Sequence, residues 1–275
     1  MSTVVETIPR SGRQSTGLWS STAAIARRGI LKFLRTPQLV VLGTIQGAMF
    51  LLIFRYVFGG AIQGTGGIDY VDFLVPGFVT TSVLFAGMGA ATAIAEDLEQ
   101  GVVDRMRSLP IPRSAVLTGR AVADTTVLVW SLAITIAIGF LVGFRINGSV
   151  SDALLAFGLC LVFGFAFEWV FLYLGLTAKT AQAAQGMALL VFPLTFVSSA
   201  YVPVATMPGW MQVVADHQPI TYMVDAVRSL TQGEAAEVLL GHPASYHVGR
   251  SLLWTVAIVA VFAPLAVRRY RELGR

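Results

Sequence analysis

Charge is scarce in this chain. Asp, Glu, Lys and Arg make up 12% of its 275 residues, about half the share found in an average soluble domain. A soluble globular domain is excluded on that ground. The net charge of +4 is modest, and its distribution bears on membrane orientation rather than on nucleic acid. Cysteine is almost absent: Cys160 stands alone inside an apolar run, so neither an intrachain disulfide nor a thiolate metal cluster is possible. The three histidines, His217, His242 and His247, fall in one segment, 203–249. His242 and His247 are five apart with Pro243 between them, a poor spacing for a metal site. No GxxxxGK[ST] pattern occurs. Lys179-Thr180 lacks the preceding glycine, and no HExxH or GxSxG stands elsewhere. The chain alone is therefore not expected to hydrolyse a nucleotide or to bind a cofactor.

What the chain has in abundance is apolar residues, 55% of the total, with a mean hydropathy of +0.73. Apolar runs of about 18 or more residues recur, which is the mark of a multi-span helical membrane protein. Six spans are predicted, at about 38–58, 71–95, 115–142, 153–177, 184–202 and 250–267. Residues 1–17 read as a disordered polar tail without the apolar core of a cleaved signal. Residues 18–36 read as an interfacial helix, with Trp19, Ala23, Ala26, Ile30 and Phe33 on one face and Arg28, Lys32 and Arg35 on the other, cations toward headgroups. Thr36-Pro37 turns the chain into the bilayer. Gly43 and Gly47 form a small-xxx-small pair in the first span. Pro193, mid-way through the fifth, frees a carbonyl and permits a kink.

Fifteen of the 19 Lys and Arg residues fall on one side of this topology. Arg55, Arg145, Arg228 and Arg250 fall on the other. The positive-inside rule places both termini and the segment 96–120 in the cytoplasm. The segment 203–249 is then external and too apolar for a plain loop. Two short helices are predicted there, one near Met207–Met211 and one from Ile220 to Leu230, resting in the outer leaflet or capping the bundle. The domain reading is a tail at 1–17, an elbow at 18–36, a six-span unit at 37–268 and a second tail at 269–275.

The polar segment between spans two and three is built as more than a connector. Val102, Val103, Met106 and Leu109 share one face of a two-turn helix, and Asp104, Arg105, Arg107 and Ser108 take the other. Gly101 opens it, Pro110 and Pro112 stop it, and Ser114 is placed to cap the next helix. The apolar face needs a cover, either lipid headgroups or a soluble partner. Glu168 is the one ionisable residue deep in a span, a functional candidate by default and otherwise a protonated carboxyl bonded to a neighbour. The aromatics Phe50, Phe54, Phe85, Phe192 and Phe196, together with Glu168, are candidates to line a path for an apolar cargo.

Three stretches resemble the membrane subunits of bacterial ABC type-two exporters, most closely the daunorubicin-resistance kind. They are Glu99-Gln-Gly101 with Leu109-Pro110, Arg113 and Gly119-Arg120; Lys179 to Gln182 with Phe192-Pro193 through Ser199; and Tyr201-Val-Pro203 with Met207-Pro208, Gln218-Pro219 and Ala226-Val-Arg228. The resemblance implies an all-α fold of six transmembrane helices. It adds an N-terminal interfacial helix, a cytoplasmic coupling helix and short external re-entrant helices. It implies a non-catalytic permease in the bacterial cytoplasmic membrane that exports a hydrophobic or amphipathic small molecule. Two copies of a separate ATPase would bind ATP and Mg, and a second permease chain, identical or related, would complete the transporter, with no nucleic acid involved. Glu99, Gly101, Val103, Met106, Arg107, Leu109, Pro110 and Arg113 would form the ATPase-coupling element. Cargo would sit between the two permeases, facing spans one, two and five. Export of a lipid-linked glycan is an alternative within the same superfamily. A proton-coupled secondary transporter using Glu168 is one from a different class.

Overall fold

The computed structural model describes residues 18–34, 45, 47–59, 67–102 and 113–273, with side chains for all of these except 18–21, 28, 32–34 and 113–117. The predicted tail 1–17, the start of the first span, and Val103, Met106, Arg107, Leu109 and Pro110 of the predicted coupling helix lie outside the described residues. Among the described residues the chain is helical, with no strand. The helices are α1 (Leu18–Leu34), α2 (Gly47–Phe58), α3 (Tyr70–Glu99), α4 (Arg113–Val142), α5 (Val150–Thr177), α6 (Ala181–Ala188), α7 (Val191–Phe196), α8 (Gly209–Ala215), α9 (Pro219–Gln232), α10 (Glu234–Leu240) and α11 (Ala244–Glu272).

Four of these, α3, α4, α5 and α11, are long and apolar enough to cross a membrane. They cover the predicted second, third, fourth and sixth spans, each reaching beyond the predicted start. At 30 residues, α4 is about 45 Å long, against roughly 30 Å of hydrocarbon. The predicted first and fifth spans correspond to shorter apolar pieces, α2 and α6–α7. The fifth is broken rather than kinked. Pro193 has no N–H to give Leu189, and its ring crowds that carbonyl. The chain answers with tight turns, Leu190 N to Met187 O and Phe192 N to Leu189 O, before α7 resumes.

The core is built around α3 and α5, whose central windows are 61% and 56% buried, against 22% for α4 and for α11. Lipid offers little hydrophobic drive between helices, so close backbone approach has to supply the packing. Small residues provide it. A side chain at Gly164 would overlap Val83, and one at Gly175 would overlap the Ala91 backbone. Gly77 of α3 leaves no room between itself and the Ala200 backbone that follows α7. The helix α5 begins with a capping box in which Ser149 Oγ accepts from Asp152 N at 3.1 Å, a local start signal written in the sequence.

Two readings are refined. On α1 the buried positions are Thr22 and Ala26, with Ile25, Gly29 and Ile30 half-buried; of the predicted apolar face Ala23 is exposed, and the side chains of Trp19 and Phe33 lie outside the described residues. Gly29 packs on Ala123, and Gly119 on Ile25, so α1 uses a small-residue face to dock on α4. Of the two placements expected for the second short helix, the outer leaflet or a cap on the bundle, the burial of α9 fits the second. Twelve of its 14 residues, including Arg228, Thr231 and Gln232, are buried, and it is wedged against α3, α5 and α11.

Contacts between loops define two ends. At one, Arg145 N donates to Asp72 Oδ1 (2.9 Å), Gln232 Nε2 to Arg145 O (2.9 Å) and Asn147 N to Thr231 O (2.9 Å). These bonds hold the α4–α5 loop, the start of α3 and the end of α9 together. At the other end, Glu99 meets the start of α6 and Arg269 reaches Leu176 O (3.4 Å).

Candidate functional site

Four of the five predicted path aromatics fall in one row. Phe85 of α3 meets Phe192 with ring centroids 5.6 Å apart. Phe192 meets Phe196 at 4.9 Å, Phe196 meets Tyr201 at 5.0 Å, Tyr201 stacks on Phe54 of α2 at 5.0 Å, and Phe54 meets Phe58 at 5.3 Å. The fifth, Phe50, packs against the main core instead. Tyr201, which the sequence reading assigned no role, is the joint of the row. Its hydroxyl donates to Thr81 Oγ1 (3.1 Å) and its carbonyl accepts from Tyr70 Oη (3.3 Å). A tyrosine serves there because its ring is apolar while its hydroxyl needs a partner inside the bundle.

Apolar side chains stand open beside this row. Tyr56 and Val57 of α2 are 72% and 67% exposed, and Leu190 of the broken fifth helix is 70% exposed. Phe85, Phe192 and Phe196 are themselves partly open. An apolar face of this extent, lined with polarizable rings, suits an apolar or amphipathic molecule, a second apolar chain or lipid.

Above the row lies a fully satisfied ionic node. Arg228 is 0% exposed. Its Nη1 donates to Asp225 Oδ1 (2.7 Å), its Nη2 to Ser199 O (2.7 Å) and Phe73 O (3.1 Å), and its Nε also to Phe73 O (3.2 Å). Ser199 Oγ donates to Asp225 Oδ1 (2.7 Å), and the guanidinium lies 3.7 Å from the Phe73 ring centroid. One cation thus ties α9 to α3 and to the segment after α7. Gln218 adds a second tie, its Nε2 donating to Leu194 O (3.2 Å) and to Val197 O. These carbonyls lie in the short broken stretch, where helical partners run out.

At the opposite end, Glu99 and Gly101 bound the predicted coupling segment. Gly101 takes φ +67°, the left-handed turn that ends α3 and that glycine adopts at least cost. Glu99 Oε1 accepts from Ala181 N at 2.9 Å, so a negative charge sits at the N-terminus of α6, beside Thr180, whose Oγ1 accepts from Ala183 N (3.1 Å). The end of α3 is thereby bonded to the start of the broken fifth helix. Arg113 is the first residue of α4.

Glu168 stands apart from the aromatic row. It is 0% exposed and faces Gly87 of α3, two residues beyond Phe85, so the two lie on different sides of that helix. Its neighbours are Asp124 and Arg120 of α4. The sequence reading missed this grouping because Asp97 and Arg120 look like the charged flanks of a connector and Asp124, inside the predicted third span, was passed over.

Residues 20–231 match the model of the ABC-2 type transporter family. The chain is 34% identical to the daunorubicin resistance ABC transporter permease protein DrrB1 of Streptomyces coeruleorubidus, over 98% of this chain and 96% of that one. It is 27% identical to the probable doxorubicin resistance ABC transporter permease protein DrrC of Mycobacterium tuberculosis, over 82% and 80%. It is 25% identical to the inner membrane transport permease YadH of Escherichia coli, over 76% and 82%. With an all-helical bundle, several membrane-crossing helices and a match along most of its length, the chain belongs to the ABC-2 type transporter family of membrane permeases.

Proposed function

We propose that this permease is the membrane half of an ATP-driven exporter, moving a hydrophobic or amphipathic small molecule outward past its aromatic row. Two copies of a separate ATP-binding-cassette ATPase and a second permease chain complete the machine. The six crossings, with α2 first and α6–α7 fifth, leave both termini and the 96–113 segment in the cytoplasm of the bacterial inner membrane. The observation that carries the reading is the row Phe85–Phe192–Phe196–Tyr201–Phe54, open on the face shared by α2, α3 and the broken fifth helix. The named drug-resistance relatives support the same cargo class.

Force enters through the segment after Gly101. The ATPase grips the apolar face of Val103, Met106 and Leu109, with Arg107, Pro110 and Arg113 setting its shape. Movement of that segment pulls on α3, and the Glu99–Ala181 bond passes it to the fifth helix, which carries two members of the row. Replacing Val103, Met106 and Leu109 with Asp tests this. Co-purification with the ATPase falls to background and cargo-stimulated ATP hydrolysis is lost. Persistence of both would remove the coupling role.

A further inference from the structure

Glu168 has no hydrogen-bond partner for either carboxylate oxygen, although no part of it is exposed. Such a group is costly unless something supplies a donor. Another carboxyl, Asp124, lies within side-chain hydrogen-bonding reach, and Asp124 Oδ2 is likewise without a hydrogen-bond partner. Two carboxylates have four acceptor oxygens and no donor between them. Among the described side chains the one nearby cation is already committed, because Arg120 is paired with Asp97 and is 3.5 Å from Asp124. The group thus holds three acids and one base.

We propose that Asp124 and Glu168 form an intramembrane proton-binding site that holds one proton between the two carboxyls. The proton supplies the missing O–H donor, and it brings the cluster closer to neutrality without a new cation. A metal ion would have to sit beside the Arg120 guanidinium, which repels it. The position also suits exchange with solvent. Asp97, two residues from the end of α3, and Asp124 of α4 have side chains that are 24% and 29% exposed. Glu168 is 0% exposed, nine residues or about 13 Å from the end of α5. A proton therefore enters from that end by way of Asp124 and reaches Glu168 last.

Other charges around α5 are engaged elsewhere. Arg269 of α11 donates to Leu176 O, and Asp225 and Arg228 of α9 pair with each other at the far end. The helix α6 carries no charged residue, with Lys179 just ahead of it. The helix α1, docked on α4 beside Ala123, carries Arg27, which is exposed, and Arg28 and Lys32, whose side chains lie outside the described residues; Tyr270 of α11 packs in one cluster with Ala121 and Trp169. The assignment concerns this chain alone and does not rest on the transport reading.

The test is infrared spectroscopy of the full-length chain in lipid nanodiscs, titrated from acid to alkaline pH. The expected result is a carbonyl-stretch band of a protonated carboxylic acid that persists at neutral pH. Glu168→Gln removes it. Asp124→Asn shifts its frequency and moves its titration by at least about tenfold in proton affinity, because the second half of the shared site is gone. The assignment is overturned if the wild type lacks the band at neutral pH, or if the band survives Glu168→Gln. It is equally overturned if Asp124→Asn leaves frequency and titration in place, for then Glu168 holds a proton by itself. The Asp124→Asn arm decides the matter where Glu168→Gln does not fold.

Discussion

Two arginines inside this bundle do opposite things. Arg228 meets one carboxylate, two carbonyls and an aromatic face, and is fully enclosed. Charge is balanced one to one and its donors are occupied, so the node has one stable arrangement. Arg120 meets Asp97 and Asp124 with Glu168 behind them. There the acids outnumber the base, and the state of the cluster depends on where a proton sits. A balanced buried pair fixes geometry, whereas an unbalanced one stores a variable.

Arg228→Leu breaks the first node most severely. It strands Asp225 and frees two carbonyls, and the expected loss is about 3–5 kcal/mol of stability, read as a lowered thermal unfolding midpoint of the purified permease. Asp225→Asn is milder, at about 1–3 kcal/mol, since Arg228 keeps its carbonyl partners. Glu168→Gln is the smallest, changing stability by less than about 1 kcal/mol, because an amide imitates a protonated carboxyl in shape. A large loss at Glu168 with little at Arg228 would invert the contrast between a fixed node and a variable one.

The long helices were legible because α3, α4, α5 and α11 are unbroken apolar runs with clear stops. At Pro193 the sequence announced a kink, since a missing N–H has a fixed address four residues back, but not that the helix would break into two pieces. Burial of α9 was not legible. Asp225, Arg228, Ser229, Thr231 and Gln232 read as solvent-facing by type, and only the three-dimensional supply of carbonyls from Phe73 and Ser199 makes their burial tolerable. The same limit applies to the sites. Phe54, Phe85, Phe192 and Phe196 were picked out by type and span, but Tyr201, at the end of the predicted fifth span, was given no part in the path. That it joins the rings of α2 to those of the fifth helix is a fact of packing. Glu168 was visible as an isolated charge. Its partners were hidden because Asp124 and Arg120 lie on another helix, separated from it by 44 and 48 positions of sequence.

The most direct test of the transport account is ATP-driven movement of an amphipathic fluorescent dye in proteoliposomes holding the permease with its ATPase. The comparison is wild type against Phe85→Ala, Phe192→Ala and Phe196→Ala combined. The account predicts at least about a tenfold fall in dye movement, from lost ring contacts, with basal ATP hydrolysis and co-purification of the ATPase retained. Undiminished transport by the variant would contradict it.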